Sequence, residues 1–240
     1  MIQPPRTAMV LAAGLGTRLR PLTATLPKPL VEINGRTLLD HVIDCLALVG
    51  VERVVVNVHY KAELIVEQLA GRDHPHIEIS EEPQLLGTGG SVLQALPLLD
   101  DPFFVANSDV FWLDGKESAL QRLTAVFALN DMDAALLLQR TVTAVGYEGS
   151  GDYFLDAFGK PYRRGEREVA PYLFAGIQLL RRCLFDGISD RVFSLVRVYD
   201  HAEKAARLHA IVHNGEWYHI GSPEGLAVTR ERLSSRRIER

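Results

Sequence analysis

Two cations, Arg18 and Lys28, lie in the stretch LAAGLGTRLRPLTATLPKPL (residues 11–30), set among glycines and prolines. Gly14 and Gly16 allow backbone amides to turn towards an anion with no Cβ in the way. Arg18 adds a forked donor and Lys28 a point charge, so the chemistry of the stretch is that of phosphate binding. Pro21, Pro27 and Pro29 rule out a regular α-helix and predict an extended loop able to wrap a ligand. The common nucleotide fingerprints are excluded. The third glycine of GxGxxG falls on Leu19, and GxxxxGK[ST] cannot be matched from Gly14 or Gly16.

Two further stretches carry groups suited to a nucleotide. In EEPQLLGTGGSV (81–92), Gly87, Gly89 and Gly90 offer open amides and carbonyls to the edge of a base, with a helix N-terminus behind them. In FFVANSDVFW (103–112), an apolar strand ends in Asn107, Ser108 and Asp109. A carboxylate at that place is a natural ligand for Mg²⁺, which is held by one or two carboxylates plus substrate phosphates. The remaining candidates read as structural. His74 and His76 flank Pro75, His209 and His213 lack a third ligand nearby, and Trp112, Trp217 and Tyr218 read as packing residues. Cys45 and Cys183 form no CxxC or Cys/His spacing, so they are predicted to be buried free thiols rather than a disulfide or zinc site.

These groups need elements to position them. Ala8 to Ala13 and VERVVVNV (51–58) read as buried strands, separated by a helix whose apolar residues Leu38, Leu39, Val42, Ile43 and Leu46 recur at helical spacing. Thr37 and Asp40 suggest its capping box and Gly50 its stop. The alternation continues with a helix at about 61–70, a strand at HIEIS, a helix at about 90–97 and a strand at PFFVAN. The expected class is α/β: a Rossmann-like, mostly parallel sheet with helices on both faces. After about residue 130, DAALLLQRT, GDYFLDAFG, PYLFAGIQLL and LHAIVHN predict added antiparallel strands that could cover one end of the sheet. A single domain is expected over 1–240, about 1–130 serving the nucleotide and about 131–240 a second substrate. In such sheets ligands sit beyond the carboxyl ends of the strands, where the three stretches fall.

With 240 residues, 47% of them apolar, the chain can bury a sizeable core. A formal net charge of −4 without a dense basic stripe argues against a nucleic-acid partner. The basic tail Arg230 to Arg240 reads as the solvated end of a helix. No apolar run reaches the roughly 18 residues of a membrane span, and Met1 to Thr7 lacks a signal-peptide pattern, so a cytoplasmic location is expected.

Taken together, LAAGLGTRLRPLTATLPKPL, GTGG and NSDVFW at these spacings resemble the sugar-phosphate nucleotidylyltransferase family, over about residues 8–228. That family makes NDP-sugars from an NTP and a sugar 1-phosphate. The short chain, the glycine loop, the strand end and FAGI (174–177) are most similar to the N-acetylmuramate 1-phosphate uridylyltransferases of cell-wall recycling, while guanylyltransferases acting on mannose or heptose 1-phosphate share EEP-LGTGG patterns.

The resemblance implies attack of the sugar phosphate on the NTP α-phosphorus with loss of pyrophosphate, and a monomer or small homo-oligomer without membrane partners. It implies that Gly16, Thr17 and Arg18 hold the triphosphate, that Lys28 neutralises the α-phosphate and sugar phosphate, and that Ala13, Gly14, Gly87, Thr88 and Gly89 line the base. Asn107, Asp152 and Gly176 match sugar positions, and Glu168 is a candidate by position. Where the family has W-x-D-[IV]-G-[ST], this chain has WYHIGS, so His219 takes the place of a second metal carboxylate beside Asp109. Imidazole is a poor ligand for Mg²⁺ and a better one for Mn²⁺ or Co²⁺. Two rivals are weighed: a nucleotide-sugar sensor that has lost turnover, which retention of Arg18, Lys28 and Asp109 argues against, and a nicotinamide dehydrogenase, which lacks Gly at 19.

Overall fold

In the computed structural model, which describes residues 4–129 and 131–238, strand β1 (Thr7–Leu11) turns Ala8 and Val10 to one face and Met9 to the other, and all three are fully buried. A strand apolar on both sides needs helices on both sides. After a small hairpin, β2 (Glu32–Ile33) and β3 (Arg36–Thr37), helix α1 (Leu38–Leu48) starts where the Thr37 hydroxyl accepts from the Asp40 amide at 3.0 Å. It stops before Gly50, whose φ of 94° reverses the chain. The predicted alternation follows as β4 (Arg53–Val58), α2 (Ala62–Leu69), β5 (His76–Glu81), α3 (Gly87–Ala95) and β6 (Phe103–Asn107).

Strands β5, β4, β1 and β6 lie side by side and parallel. Because β4 and β6 flank β1 on opposite sides, the connections leave it in different directions and a crevice opens beyond Leu11 and Asn107. One side of the sheet is covered by α1 and α2 through Leu39, Val42, Ile43, Leu46 and Ile65, the other by α3 through Val92 and Ala95.

The later half adds β7 (Val110–Leu113), α4 (Ala119–Leu129), β8 (Ala134–Arg140), β9 (Tyr153–Leu155), β10 (Pro161–Arg163), β11 (Tyr172–Leu180), α5 (Val196–Lys204), β12 (Leu208–Val212), β13 (Glu216–His219) and α6 (Pro223–Ile238). The added strands widen the sheet more than they cover its end. β11 pairs antiparallel with β6, β8 antiparallel with β11, and β12 parallel with β8, giving nine strands among the described residues. Past the end of β6, the first residues of β11 pair with the end of β8 (Leu138–Arg140) on one side and, at Tyr172, with the β9–β10 hairpin on the other. The reason lies in β11 itself: its last four residues pair with β6, whereas its first residues run beyond that strand.

A separate ribbon, β7 with β13, brings Tyr218 opposite Phe111. With Leu19, Val31, Leu38 and residues Leu226 and Leu233 of α6, they form a third apolar cluster behind the Arg18 to Lys28 stretch. Helix α6 therefore does more than end in solvent. Arg230 donates to the Glu32 carbonyl at 2.9 Å and Arg232 reaches Glu216 at 3.5 Å; the last residues of the predicted tail, 239 and 240, lie outside the described residues. Cys45 is partly buried, but Cys183 is exposed, contrary to expectation, because it sits on the turn after β11, its thiol 3.5 Å from Asp133 Oδ1. Among the described residues no helix is long and apolar enough to cross a membrane.

Candidate active site

A cavity of about 510 Å³ lies in the crevice beyond β1 and β6. On one wall are Ala13, Gly14, Gly16, Thr17, Arg18 and Lys28; on another Gly87 and Thr88; at the strand end Asn107 and Asp109. The three stretches singled out in the sequence thus meet around one space.

The Arg18 to Lys28 stretch is compact, not extended. It is three successive 3₁₀ turns, Thr17–Leu19, Leu22–Ala24 and Lys28–Leu30. Proline forbids an α-helix interior but fits the first residues of a short turn, with its φ already set. Gly16 enters the first turn with φ 61°, and its carbonyl accepts from the Thr23 hydroxyl at 2.7 Å. The left-handed φ favours glycine there, and a Cβ would also sit tightly, 3.1 Å from Thr23 Cγ2 and 3.2 Å from Lys28 Cβ. Tyr60 donates to the Thr23 carbonyl at 2.9 Å and pins the stretch to the turn before α2.

This folding places the two cations differently. Lys28 is nearly buried, its side chain 10% exposed, and donates to Asp109 Oδ2 at 2.6 Å. Arg18 is exposed on the cavity wall and makes no hydrogen bond or ion pair with the described residues. One cation is held by a carboxylate and the other points its guanidinium at an open space.

Opposite them lies a polar network that the sequence reading missed. Asn57, 2% exposed at the end of β4, accepts from the Ala12 amide at 2.7 Å through Oδ1. Its Nδ2 donates to Glu82 Oε1 at 2.7 Å and to Ser91 at 3.1 Å. Glu82, 3% exposed, also accepts from the Leu86 amide at 3.3 Å. Asn57, Glu82 and Ser91 all face the cavity, and together they tie the turn after β1 to α3. The available signal was a polar residue at the end of each of two expected strands, VERVVVN and HIEISEE.

Some expected residues stand elsewhere. The glycines 87 to 90 are the first turn of α3 itself, not a loop before it. The Gly89 amide is already bonded, to the Phe193 carbonyl at 2.9 Å, so it is not open to a base. Asp152 is off the cavity wall and accepts from the Phe174 amide at 2.8 Å, bracing β9 against β11. Glu168 is exposed in the connection between β10 and β11, away from the wall. Gly176, with φ 83°, sits at the bulge of β11 where a Cβ would be 3.1 Å from Asn107 Nδ2. It leaves room for Asn107 without lining the cavity.

His219 stands behind the cavity wall and does not itself line it. Its ring stacks on Trp217 at 6.0 Å and lies over Gly221, where a Cβ would collide with it, and Gly221 lines the cavity. Burial, joined by the charges of Lys28 and Arg18, pushes its pKa down against the pull of the Gly146 carbonyl and Asp109. The ring is therefore neutral near pH 7, with Nδ1 3.2 Å from the Gly146 oxygen.

The donor set has a definite reach towards a metal. Among the described residues no three His, Cys, Asp or Glu side chains are grouped to hold an ion by themselves. One oxygen of Asp109 is bonded to Lys28, and the carboxylate is 35% exposed at the cavity. That fits a hard ion taking one carboxylate and completing its shell with phosphates and water.

The nucleotidyl transferase family model matches residues 7–144. An N-acetylmuramate alpha-1-phosphate uridylyltransferase of Caulobacter vibrioides is 38% identical over 98% of this chain and 99% of its own. The chain belongs to the nucleotidyl transferase family. Within it, the chain is a sugar-1-phosphate nucleotidylyltransferase. A mannose-1-phosphate guanyltransferase of Schizosaccharomyces pombe is 31% identical over 90% of the chain, which spans 61% of that relative's length. In fold, HddC from Yersinia pseudotuberculosis, solved in complex with GMP-PN, superposes over 95% of this chain with a TM-score of 0.75 at 23% identity.

Proposed function

We propose that this nucleotidylyltransferase joins UTP to N-acetylmuramate 1-phosphate, releasing pyrophosphate and the UDP-sugar for peptidoglycan recycling. The observation that carries the substrate choice is the 38% identity to the Caulobacter uridylyltransferase over nearly the whole of both chains. In the reaction a phosphate oxygen of the sugar attacks the α-phosphorus in line, and the bond to the β-phosphate oxygen breaks. Such a transfer asks for positioning and charge neutralisation, not for a protein nucleophile.

Each group has a task in this reading. Gly16, Thr17 and the unpaired Arg18 take the triphosphate, Arg18 meeting the charge that grows on the departing pyrophosphate. Lys28, fixed by Asp109, neutralises the α-phosphate and the incoming sugar phosphate. Ala13, Gly14, Gly87 and Thr88 line the base, backed by the Asn57 and Glu82 network. Asn107 is offered to the sugar. Asp109 with the phosphates would hold Mg²⁺, which when bound adds positive charge at the reacting phosphate. His219 would ligate Mn²⁺ or Co²⁺ more readily than Mg²⁺.

A second reading, GTP with mannose or heptose 1-phosphate, is favoured by the 45% identity to mannose-1-phosphate guanyltransferases over 109 residues, 43% of the chain. Pyrophosphate release across four NTPs and muramyl, heptosyl, mannosyl and glucosyl 1-phosphates separates the two. Turnover confined to UTP and the muramyl compound supports the first; preference for GTP overturns it. Nucleotide binding without turnover anywhere would favour a sensor.

A further inference from the structure

The glycines of α3 are shaped by a segment that comes about a hundred residues later in the chain. Residues 191–195 lie across the first turn of the helix. Phe193 accepts through its carbonyl from Gly89 at 2.9 Å and Gly90 at 3.3 Å, and donates through its amide to the Leu86 carbonyl at 3.0 Å. Two residues on, the Leu195 amide donates to the Thr88 hydroxyl at 2.9 Å. The first amides of a helix have no partner within it, so this crossing strap supplies what α3 lacks.

The approach is as close as backbone allows. A Cβ on Gly87 would stand 2.6 Å from the Phe193 oxygen; one on Gly89 would overlap the Phe193 ring, and one on Gly90 the Arg191 carbonyl. Two of these glycines, 89 and 90, are required by the strap and not by a ligand: neither lies on the cavity wall, whereas Gly87 and Thr88 do. The ring of Phe193 packs against the apolar layer under α3 and α5, with the Arg197 guanidinium 5.7 Å from its centroid. This seat holds the carbonyl in line with the two amides.

We propose that Phe193 is a positioning residue for the nucleotide. Its ring and carbonyl set the height of the Gly87–Thr88 edge against the opposing wall of Ala13 and Gly14, and so fix the width of the slot for the base. The inference rests on the proposed nucleotide site and assigns no contact between Phe193 and substrate.

The test is calorimetric binding of UTP, with Mg²⁺ present, to the parent, Phe193→Ala, Phe193→Tyr, Gly89→Ala and the Gly89→Ala/Phe193→Ala double variant, beside steady-state kinetics and thermal melts. Loss of the ring is expected to raise the UTP Kd about tenfold, with kcat at saturating UTP and the KM for sugar 1-phosphate changed less than about twofold. Phe193→Tyr should bind as the parent does. Gly89→Ala should also weaken UTP binding, and the double variant should regain part of that loss because the methyl group no longer meets a ring. A parent-like Kd in Phe193→Ala, with only a lower melting temperature, would make the residue a packing group and overturn the proposal. So would strictly additive losses in the double variant. A parent that binds no nucleotide would instead overturn the proposed function, and the strap's role with it.

Discussion

Asp109 holds the Lys28 ammonium in place at 2.6 Å, while Arg18 faces the cavity without a partner among the described residues. The pair supplies a cation that is already oriented; the lone arginine supplies one that a ligand must recruit. Lys28→Met should therefore lower kcat by about 10²- to 10³-fold, as the loss of a preorganised charge does, in assays of pyrophosphate release. Arg18→Lys should raise the KM for NTP more than it lowers kcat, because a point charge replaces a fork. Activity titrated with Mg²⁺ and Mn²⁺ should show a stronger gain with Mn²⁺ in the parent than in His219→Asp; identical profiles would remove His219 from the metal's reach. Arg18, Lys28 and Asp109 were legible because their types and neighbours signal charge chemistry without any fold. Asn57 and Glu82 were not, since a lone amide and a lone acid gain meaning only when parallel pairing sets β4 beside β5 and brings them within 2.7 Å.

At the scale of elements, periodicity was a sound guide where a helix has a cap and a face. Thr37, Asp40 and the apolar spacing of α1 left little choice. The stretch of residues 17–30 was misread because proline was weighed only against the α-helix, although short 3₁₀ turns accept it. The first of those turns depends on a left-handed residue at its start, Gly16. Gly16→Ala should cost about 1–2 kcal/mol in chemical denaturation, from backbone strain at φ 61° alone. Helix α1 also carries a partly buried titratable group. His41 stacks on Phe111 at 4.3 Å, and burial pushes its pKa down to about 4. Unfolding lets it take a proton near its ordinary value, so stability from this group is complete above about pH 6.5 and falls as the pH drops towards 4. The loss reaches about 3 kcal/mol at the acid end, following the linkage of a pKa shift to stability. Melting temperature against pH should slope less steeply over this range in His41→Gln than in the parent.

For the whole molecule, the parallel core and its crevice could be read from the alternation of strands and helices, because strands buried on both faces admit few other arrangements. The second half could not. Runs such as PYLFAGIQLL show a strand but not its neighbour, and pairing of β11 with β6 is a contact between residues some seventy positions apart. The ribbon of β7 and β13 has the same origin: it brings His219 and Gly221 up to a site whose other groups come from the first half. The transfer of UMP to N-acetylmuramate 1-phosphate is tested most directly by one competition. The enzyme is given equimolar ATP, CTP, GTP and UTP with N-acetylmuramate 1-phosphate and Mg²⁺, and the nucleotide-sugar formed is identified by mass. UDP-N-acetylmuramate as the dominant product is the expected result; a GDP-sugar in its place, or no nucleotide-sugar at all, would contradict it.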